Sequence, residues 1–274
     1  MVRAVYLAPL ILFAMLTLSS AAYVNIIEPY NVTVQNGAGV FLGKAGPGQT
    51  FYITISEVTK NSTNYTFDQG WNKLVASEMP NGWLAKNSSL YTTYPTVQVS
   101  VAPYAVNGTY AFNLSAVNVG NYSKLGSVNF RAYVNVTPNV FNLSASPISL
   151  SAGIGQPASI YVKINNTGVS DSPFNISMEG LPAWNSNSTV IALHSTTQSF
   201  VYSIYASEPG VYHPILRVSS VSSPLIHKQT NITLTVAASI PNDYSALGEG
   251  TLAFPVIYEP VYAIMYLISV LFKG

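Results

Sequence analysis

Gly48-Gln49-Thr50-Phe51-Tyr52-Ile53-Thr54-Ile55 carries an apolar side chain at every second position from Phe51 to Ile55. Successive side chains on a β-strand point to opposite faces, so this spacing marks a strand with one buried face. The stretch returns about a hundred residues later as Gly155-Gln156-Pro157-Ala158-Ser159-Ile160-Tyr161-Val162-Lys163-Ile164. The same alternation runs through Val97, Val99 and Val101; Tyr110, Phe112 and Leu114; Val128, Phe130, Ala132, Val134 and Val136; Phe174, Ile176 and Met178; and Ile232, Leu234 and Val236. Gly, Pro, Asn and Ser separate the runs, and no helical period of any length appears between residues 23 and 237. The expectation is an all-β protein built of antiparallel sheets.

The repeat extends beyond that pair. Met79-Pro80-Asn81-Gly82-Trp83 matches Leu181-Pro182-Ala183-Trp184, Gly108-Thr109-Tyr110 matches Gly210-Val211-Tyr212, and Val128–Val136 matches Thr230–Val236. This offset divides the middle of the chain into two tandem domains, 23–137 and 138–237. Seven or so short strands in about a hundred residues is the count of an Ig-like sandwich. Trp83 and Trp184 then share a core or corner role, in preference to a carbohydrate platform with Trp71 and the tyrosines, and Tyr110 and Tyr212 read as corner tyrosines that bond back to the chain just upstream.

A Gly-Gln opening, a Pro-then-Trp midpoint and a Gly-x-Tyr ahead of a late strand resemble the Ig-like domains grouped as CARDB-like or as the alpha-galactosidase-associated sandwich. Asn165-Asn166-Thr167-Gly168 is similar to the Asn-x-Gly turn of that group, whereas the first unit departs there with Glu57–Tyr65 inserted. The resemblance implies an adhesive, spacer or surface module and brings no catalytic residues with it.

The ends point to export. Met1-Val2-Arg3, the apolar run Ala4–Leu18 and Ser19-Ser20-Ala21-Ala22 have the charged, apolar and small-residue regions of a signal peptide over residues 1–22. Arg3-Ala4 before an apolar run also resembles an archaeal pilin leader, cut ahead of that run. Residues 251–272 form a second apolar stretch, interrupted by Pro255, Glu259 and Pro260 and followed by Lys273. It reads as a C-terminal transmembrane helix anchoring the chain, after a polar linker over 238–250. A removed lipid-anchor signal and a segment docking on another protein are the other readings.

Thirteen Asn-x-Ser/Thr acceptors occur: Asn31, Asn61, Asn64, Asn87, Asn107, Asn113, Asn121, Asn135, Asn142, Asn165, Asn175, Asn187 and Asn231. The chain's Asn, Ser and Thr content gives about four by chance. On the strands, Asn113, Asn135, Asn165, Asn175 and Asn231 fall in the phase opposite the apolar residues. N-linked glycans there stand outside, and they account for a chain in which only 8% of residues are charged, since sugar solubilises a surface with few ionised groups.

Little else carries chemistry. A net charge of +1 leaves no electrostatic footprint for nucleic acid. No cysteine is present, so thiolate chemistry, disulfides and zinc–thiolate sites are excluded. His194, His213 and His227 lack ligand spacing, and no acidic pair resembles a calcium loop. Gly37–Lys44 has the wrong spacing for a phosphate loop and reads as a hairpin turn. No catalytic, cofactor or metal residues are assigned.

The sequence thus points to a non-enzymatic surface glycoprotein, single-pass in the cell membrane with its ectodomain outside, whose partners are the membrane and other surface proteins or a surface lattice. Uncharged, cysteine-free and sequon-dense, it resembles archaeal envelope proteins, including the small stalk subunit that ties a surface layer to the membrane. A glycan- or solute-binding module, a filament subunit and an accessory subunit of a membrane complex are the rival readings.

Overall fold

The apolar phase of each alternating run is the buried phase. Phe51, Ile53 and Ile55, Val97 and Val99, Phe112 and Leu114, Val128 to Val136, Ile160 to Ile164, Phe174 and Ile176, and Ile232 to Val236 all have core positions at every second residue. The computed structural model describes residues 23–56, 70–90, 92–119, 126–182 and 187–238, together with Ile264, Met265 and Ile268.

In chain order the first half carries β1 (Tyr23–Glu28), β2 (Val32–Gln35), β3 (Gly39–Ala45), β4 (Thr50–Ile55), β5 (Lys73–Ser77), β6 (Leu84–Lys86), β7 (Thr96–Ser100), β8 (Gly108–Val117) and β9 (Ser127–Val136). The second carries β10 (Phe141–Ser146), β11 (Ser149–Ala152), β12 (Ala158–Asn166), β13 (Ser172–Glu179), β14 (Ser188–Ala192), β15 (Thr197–Ile204), β16 (Gly210–Tyr212), β17 (Ile215–Ser220), β18 (Ser223–Asn231) and β19 (Thr233–Val236). The protein is all-β, and its buried residues form two clusters, Val24 to Val136 and Val140 to Val236.

In the first cluster, sheet β2-β1-β4-β7-β6 faces sheet β3-β9-β8-β5. In the second, β10-β12-β15 faces a layer made of β14-β13-β17-β18 and β11-β19-β16. This is the two-layer strand arrangement of an Ig-like sandwich. The repeat is visible in detail. Gly48 and Gly155 have φ of 74° and 70°, a left-handed conformation that suits glycine, and each turn closes with a Gln N–H to Gly C=O bond of 3.1 Å, from Gln49 to Gly46 and from Gln156 to Gly153. Tyr110 Oη donates to Val106 O at 3.0 Å, and Tyr212 Oη donates to Glu208 O at 2.9 Å. Both tyrosines are therefore the corner residues expected from their position. Trp83 is buried beside Tyr110 and Phe112, with ring centroids 5.4 and 6.2 Å away. Trp184 and the Glu57–Tyr65 insertion lie outside the described residues.

Three expectations need correction. The sheets are not wholly antiparallel: β3 runs parallel to β9, and β11 parallel to β19. Both strands cross from the layer of their predecessor to the opposite one and meet the last strand of their unit from its open side. Gly37–Lys44 is not a hairpin turn, because only residues 36–37 turn, with Gly37 at φ 78°, and Gly39–Ala45 is strand β3. Thr230–Val236 is not one strand matching Val128–Val136. Pro214, which has no N–H to give, separates β16 from β17, and the facing arm breaks between β18 and β19 at the same level. Ile232 N still donates to Pro214 O at 2.9 Å.

The halves are joined by direct bonds. Gln49 is wholly buried; its Oε1 accepts from Gly46 N at 2.7 Å and its Nε2 donates to Ser172 Oγ at 2.7 Å. Ser170 Oγ donates to Thr50 O at 2.6 Å, and Val169 N donates to Lys44 O at 2.8 Å. Val169 packs on the first core.

Sheet edges are treated differently in the two halves. On the free side of β5, Leu74 N donates to Ser88 Oγ, Ala76 N donates to Asn87 Oδ1, both at 2.8 Å, and Ser88 N donates to Leu74 O at 3.1 Å. Strand β6 is three residues long and β2 four. In the second half, β15 is eight residues long and ends its sheet.

Candidate functional site

Ten of the thirteen sequon asparagines lie among the described residues, and none is buried. Asn31, Asn87, Asn107, Asn142, Asn165, Asn175, Asn187 and Asn231 are exposed, and Asn113 and Asn135 are half-buried. Alternation puts them there: Asn113 sits between core residues Phe112 and Leu114, Asn135 between Val134 and Val136, and Asn175 between Phe174 and Ile176. Asn142 and Asn165 face one another directly across β10 and β12. Asn61, Asn64 and Asn121 lie outside the described residues. None of the strands of sheet β2-β1-β4-β7-β6 contains a sequon asparagine, Asn31 lying just ahead of β2. Its outer face instead carries a hydroxyl ladder: Thr50 to Ser100 at 2.8 Å, Thr54 to Thr96 at 3.0 Å, and Thr54 donating to Glu28 Oε2 at 2.6 Å.

Titratable groups do not converge. Among the described residues no group of three or more His, Asp or Glu side chains is placed to hold a metal ion. His194 Nδ1 and its backbone N both contact Asp171 Oδ1 at 2.7 Å, which ties the β14–β15 turn to the start of β13. His227 Nδ1 lies 2.9 Å from the Pro224 carbonyl. Burial raises the phenol pKa of Tyr30 and Tyr202 above the ordinary value.

Two of the hollows among the described residues bear on function. One lies between the halves, lined by Glu28, Pro29, Tyr52, Val169, Asp171 and His194, with a volume of about 30 Å³. That is space for water and not for a sugar ring, so it does not supply the aromatic cleft that the binding-module reading requires. The other, about 330 Å³, opens on the outer face of sheet β3-β9-β8-β5, over Ser77, Asn113, Ser115, Asn129 and Arg131. Ser115 Oγ donates to Asn129 Oδ1, Asn129 N donates to Asn36 Oδ1 at 2.8 Å, and the Arg131 guanidinium lies over the Tyr133 ring at 5.9 Å. This is hydrogen-bonding chemistry of hydroxyl, amide and guanidinium groups. Sequence reasoning did not single out Ser77, Ser115, Asn129 or Arg131; apart from Ser77, their one signal is that they occupy the outward phase of β8 and β9.

No family model and no curated protein matches the chain. Among solved structures, it is similar to the D00-D0 domain of intimin (13% identity, TM-score 0.27, over 77% of this chain and 96% of that one). A chimeric titin Z1Z2 carrying a decorin peptide matches at 13% identity and TM-score 0.33, over 79% and 98%. The adhesin InvE of Yersinia pseudotuberculosis matches at 13% identity and TM-score 0.28, over 79% of this chain and 61% of InvE. The Ig-like assignment rests on the strand order given above. Of residues 251–272, the structure describes Ile264, Met265 and Ile268, which are helical and exposed. Among the described residues no helix is long and apolar enough to cross a membrane.

Proposed function

We propose that the chain is an exported structural or adhesive glycoprotein of the cell surface. In this reading residues 1–22 are removed as a signal peptide, 23–137 and 138–237 are two tandem Ig-like domains, and 251–272 anchor them in the membrane behind the 238–250 linker. The ectodomain faces outward and carries N-linked glycans. Its partners are the membrane and a neighbouring surface protein or lattice, which it holds at a set distance. One observation carries the reading: every described sequon asparagine is accessible to solvent, although strand positions are buried at alternate residues throughout the fold. The bonded junction between the halves suits a spacer, which transmits position only if its parts do not pivot.

The test is glycopeptide mass spectrometry on the chain recovered from native membranes, combined with protease treatment of intact cells. The proposal expects a mature N-terminus near Tyr23, sugar on several of Asn87, Asn107, Asn142, Asn165, Asn175 and Asn231, and digestion from outside. An intact Met1–Ala22 with unmodified asparagines would sink it. Cross-linking on intact envelopes then tests the partner: links to one abundant lattice protein support the anchoring role, and links to a transporter or catalytic subunit refute it.

A further inference from the structure

Free sheet edges are protected in soluble proteins by charge, proline, shortness or cover, because their open N–H and C=O groups will pair with any strand offered. In the first half those devices are present. Strand β5 is covered by Asn87 and Ser88, and β6 and β2 are short. In the second half, among the described residues, none of these devices is found on the backbone edge of β15. From Asn187 to Ser207 the chain has no Lys, Arg, Asp, Glu, Pro or Gly. On the outer face of the same sheet Val201 is 54% exposed, and its cross-strand neighbour Tyr161 is 66% exposed.

We propose that β15 is a homotypic interface, pairing antiparallel with β15 of a second copy about a two-fold axis at Val201. Antiparallel partners directly opposite share a face. A two-fold at Val201 therefore sets Val201 against Val201, Phe200 against Tyr202 and Ser199 against Ser203. The three-stranded sheet β10-β12-β15 becomes six-stranded, and its outer face gains an apolar stripe of Tyr161, Val201, Val201 and Tyr161. The occupant is a second copy because the strand is self-compatible. With no ionised side chain on β15, two copies meet without like charges opposed, and a net charge of +1 adds no appreciable repulsion between chains. A foreign acidic or basic strand finds no complementary charge there. Asn165 faces Thr197 at the far end of β15 from Ser203, and Asn142 faces Asn165. Glycans at these sites stand roughly 13 Å from Val201 at about 3.3 Å per residue, clear of the centre of the pair. The pairing depends on neither export nor glycosylation, so its failure would leave the proposed function standing.

The chain has no cysteine, so Val201→Cys introduces the sole thiol. Opposed residues place Cβ atoms about 4.5–5.5 Å apart, near the span a disulfide closes. The control is Val211→Cys, a 61% exposed position on β16. With the full chain purified in detergent, mild oxidation is followed on non-reducing gels. Dimer pairing makes the reaction effectively intramolecular, so the position-201 variant cross-links at least about tenfold faster than the control. Sedimentation velocity of the unmodified chain shows a concentration-dependent dimer. Val201→Lys abolishes it, and at concentrations too low for the dimer to form it leaves the melting temperature unchanged, since the side chain is already outside. Two results overturn the proposal. One is a monomer at all concentrations with equal cross-linking of the two cysteine variants. The other is a dimer that survives Val201→Lys and does not cross-link through position 201.

Discussion

Replacing Gln49 by Leu removes the two bonds that its buried amide makes while keeping most of its volume. Gly46 N then loses its acceptor in a buried turn, which costs about 1–3 kcal/mol, and the lost bond to Ser172 removes about 1 kcal/mol more. The added apolar burial returns up to about 1 kcal/mol. The expected net loss is about 1–4 kcal/mol. Ser172→Ala alone strands the Gln49 Nε2 and also removes the hydroxyl that bonds Ser170 O at 3.3 Å, for a loss of about 1–3 kcal/mol. The double variant loses less than the sum, because each single change already breaks the shared bond; the coupling is about 1 kcal/mol. Urea denaturation of the full chain, followed by tryptophan fluorescence, measures all three. Trp71 and Trp83 are both buried in the first half and Trp184 belongs to the second, so in a Trp184→Phe background the signal also reports whether a change at Ser172 in the second half is felt across the junction. A Gln49→Leu loss below about 0.5 kcal/mol, or additivity within about 0.3 kcal/mol, would refute the claim that this bond joins the halves.

Two further outcomes are expected. Tyr110→Phe and Tyr212→Phe each remove one corner bond and cost about 1 kcal/mol, with near-equal losses because the two corners have the same geometry; a loss at only one of them argues against equivalence. Burial raises the pKa of Tyr30 and Tyr202, so the folded state holds these protons more tightly than the unfolded chain. The stability they contribute is complete below pH about 10 and declines as pH rises through their raised values. Denaturation midpoints should fall above that pH, with a shallower slope in Tyr202→Phe; an unchanged slope would count against burial of its phenol.

Strand identity was legible wherever one face is buried, as along Val128–Val136, because a period of two follows from the pleat alone. The outward phase of Asn113, Asn135 and Asn175 followed from the same logic, and the corner tyrosines from the repeat that sets Gly108-Thr109-Tyr110 against Gly210-Val211-Tyr212. What was not legible depends on partners distant in sequence. Nothing in Gly39–Ala45 says that its neighbour is β9 or that the two run parallel. Pro214 signals a break, but not that the facing arm breaks with it at Ile232. Gln49 could be seen to open a strand, but that its amide reaches Ser172 requires the second half to be in place. The same holds for sheet membership: β6 pairs with β7 within the first layer, whereas β14 has moved to β13 in the opposite one. An alternating strand of three to five residues suits either neighbour equally well.

The parallel pairs β3·β9 and β11·β19 set how the protein bears tension. In each half, an early strand lies beside the last one and runs the same way, so pulling the two ends of a half apart drags these strands lengthwise past each other. Every backbone bond between them is then loaded at once, where a hairpin pulled from its open end would lose its bonds singly. Strand β3 meets β9 over six residue pairs, but β11 meets β19 over only four. Under a steady pull the second half therefore yields first, and the first half remains folded beyond it.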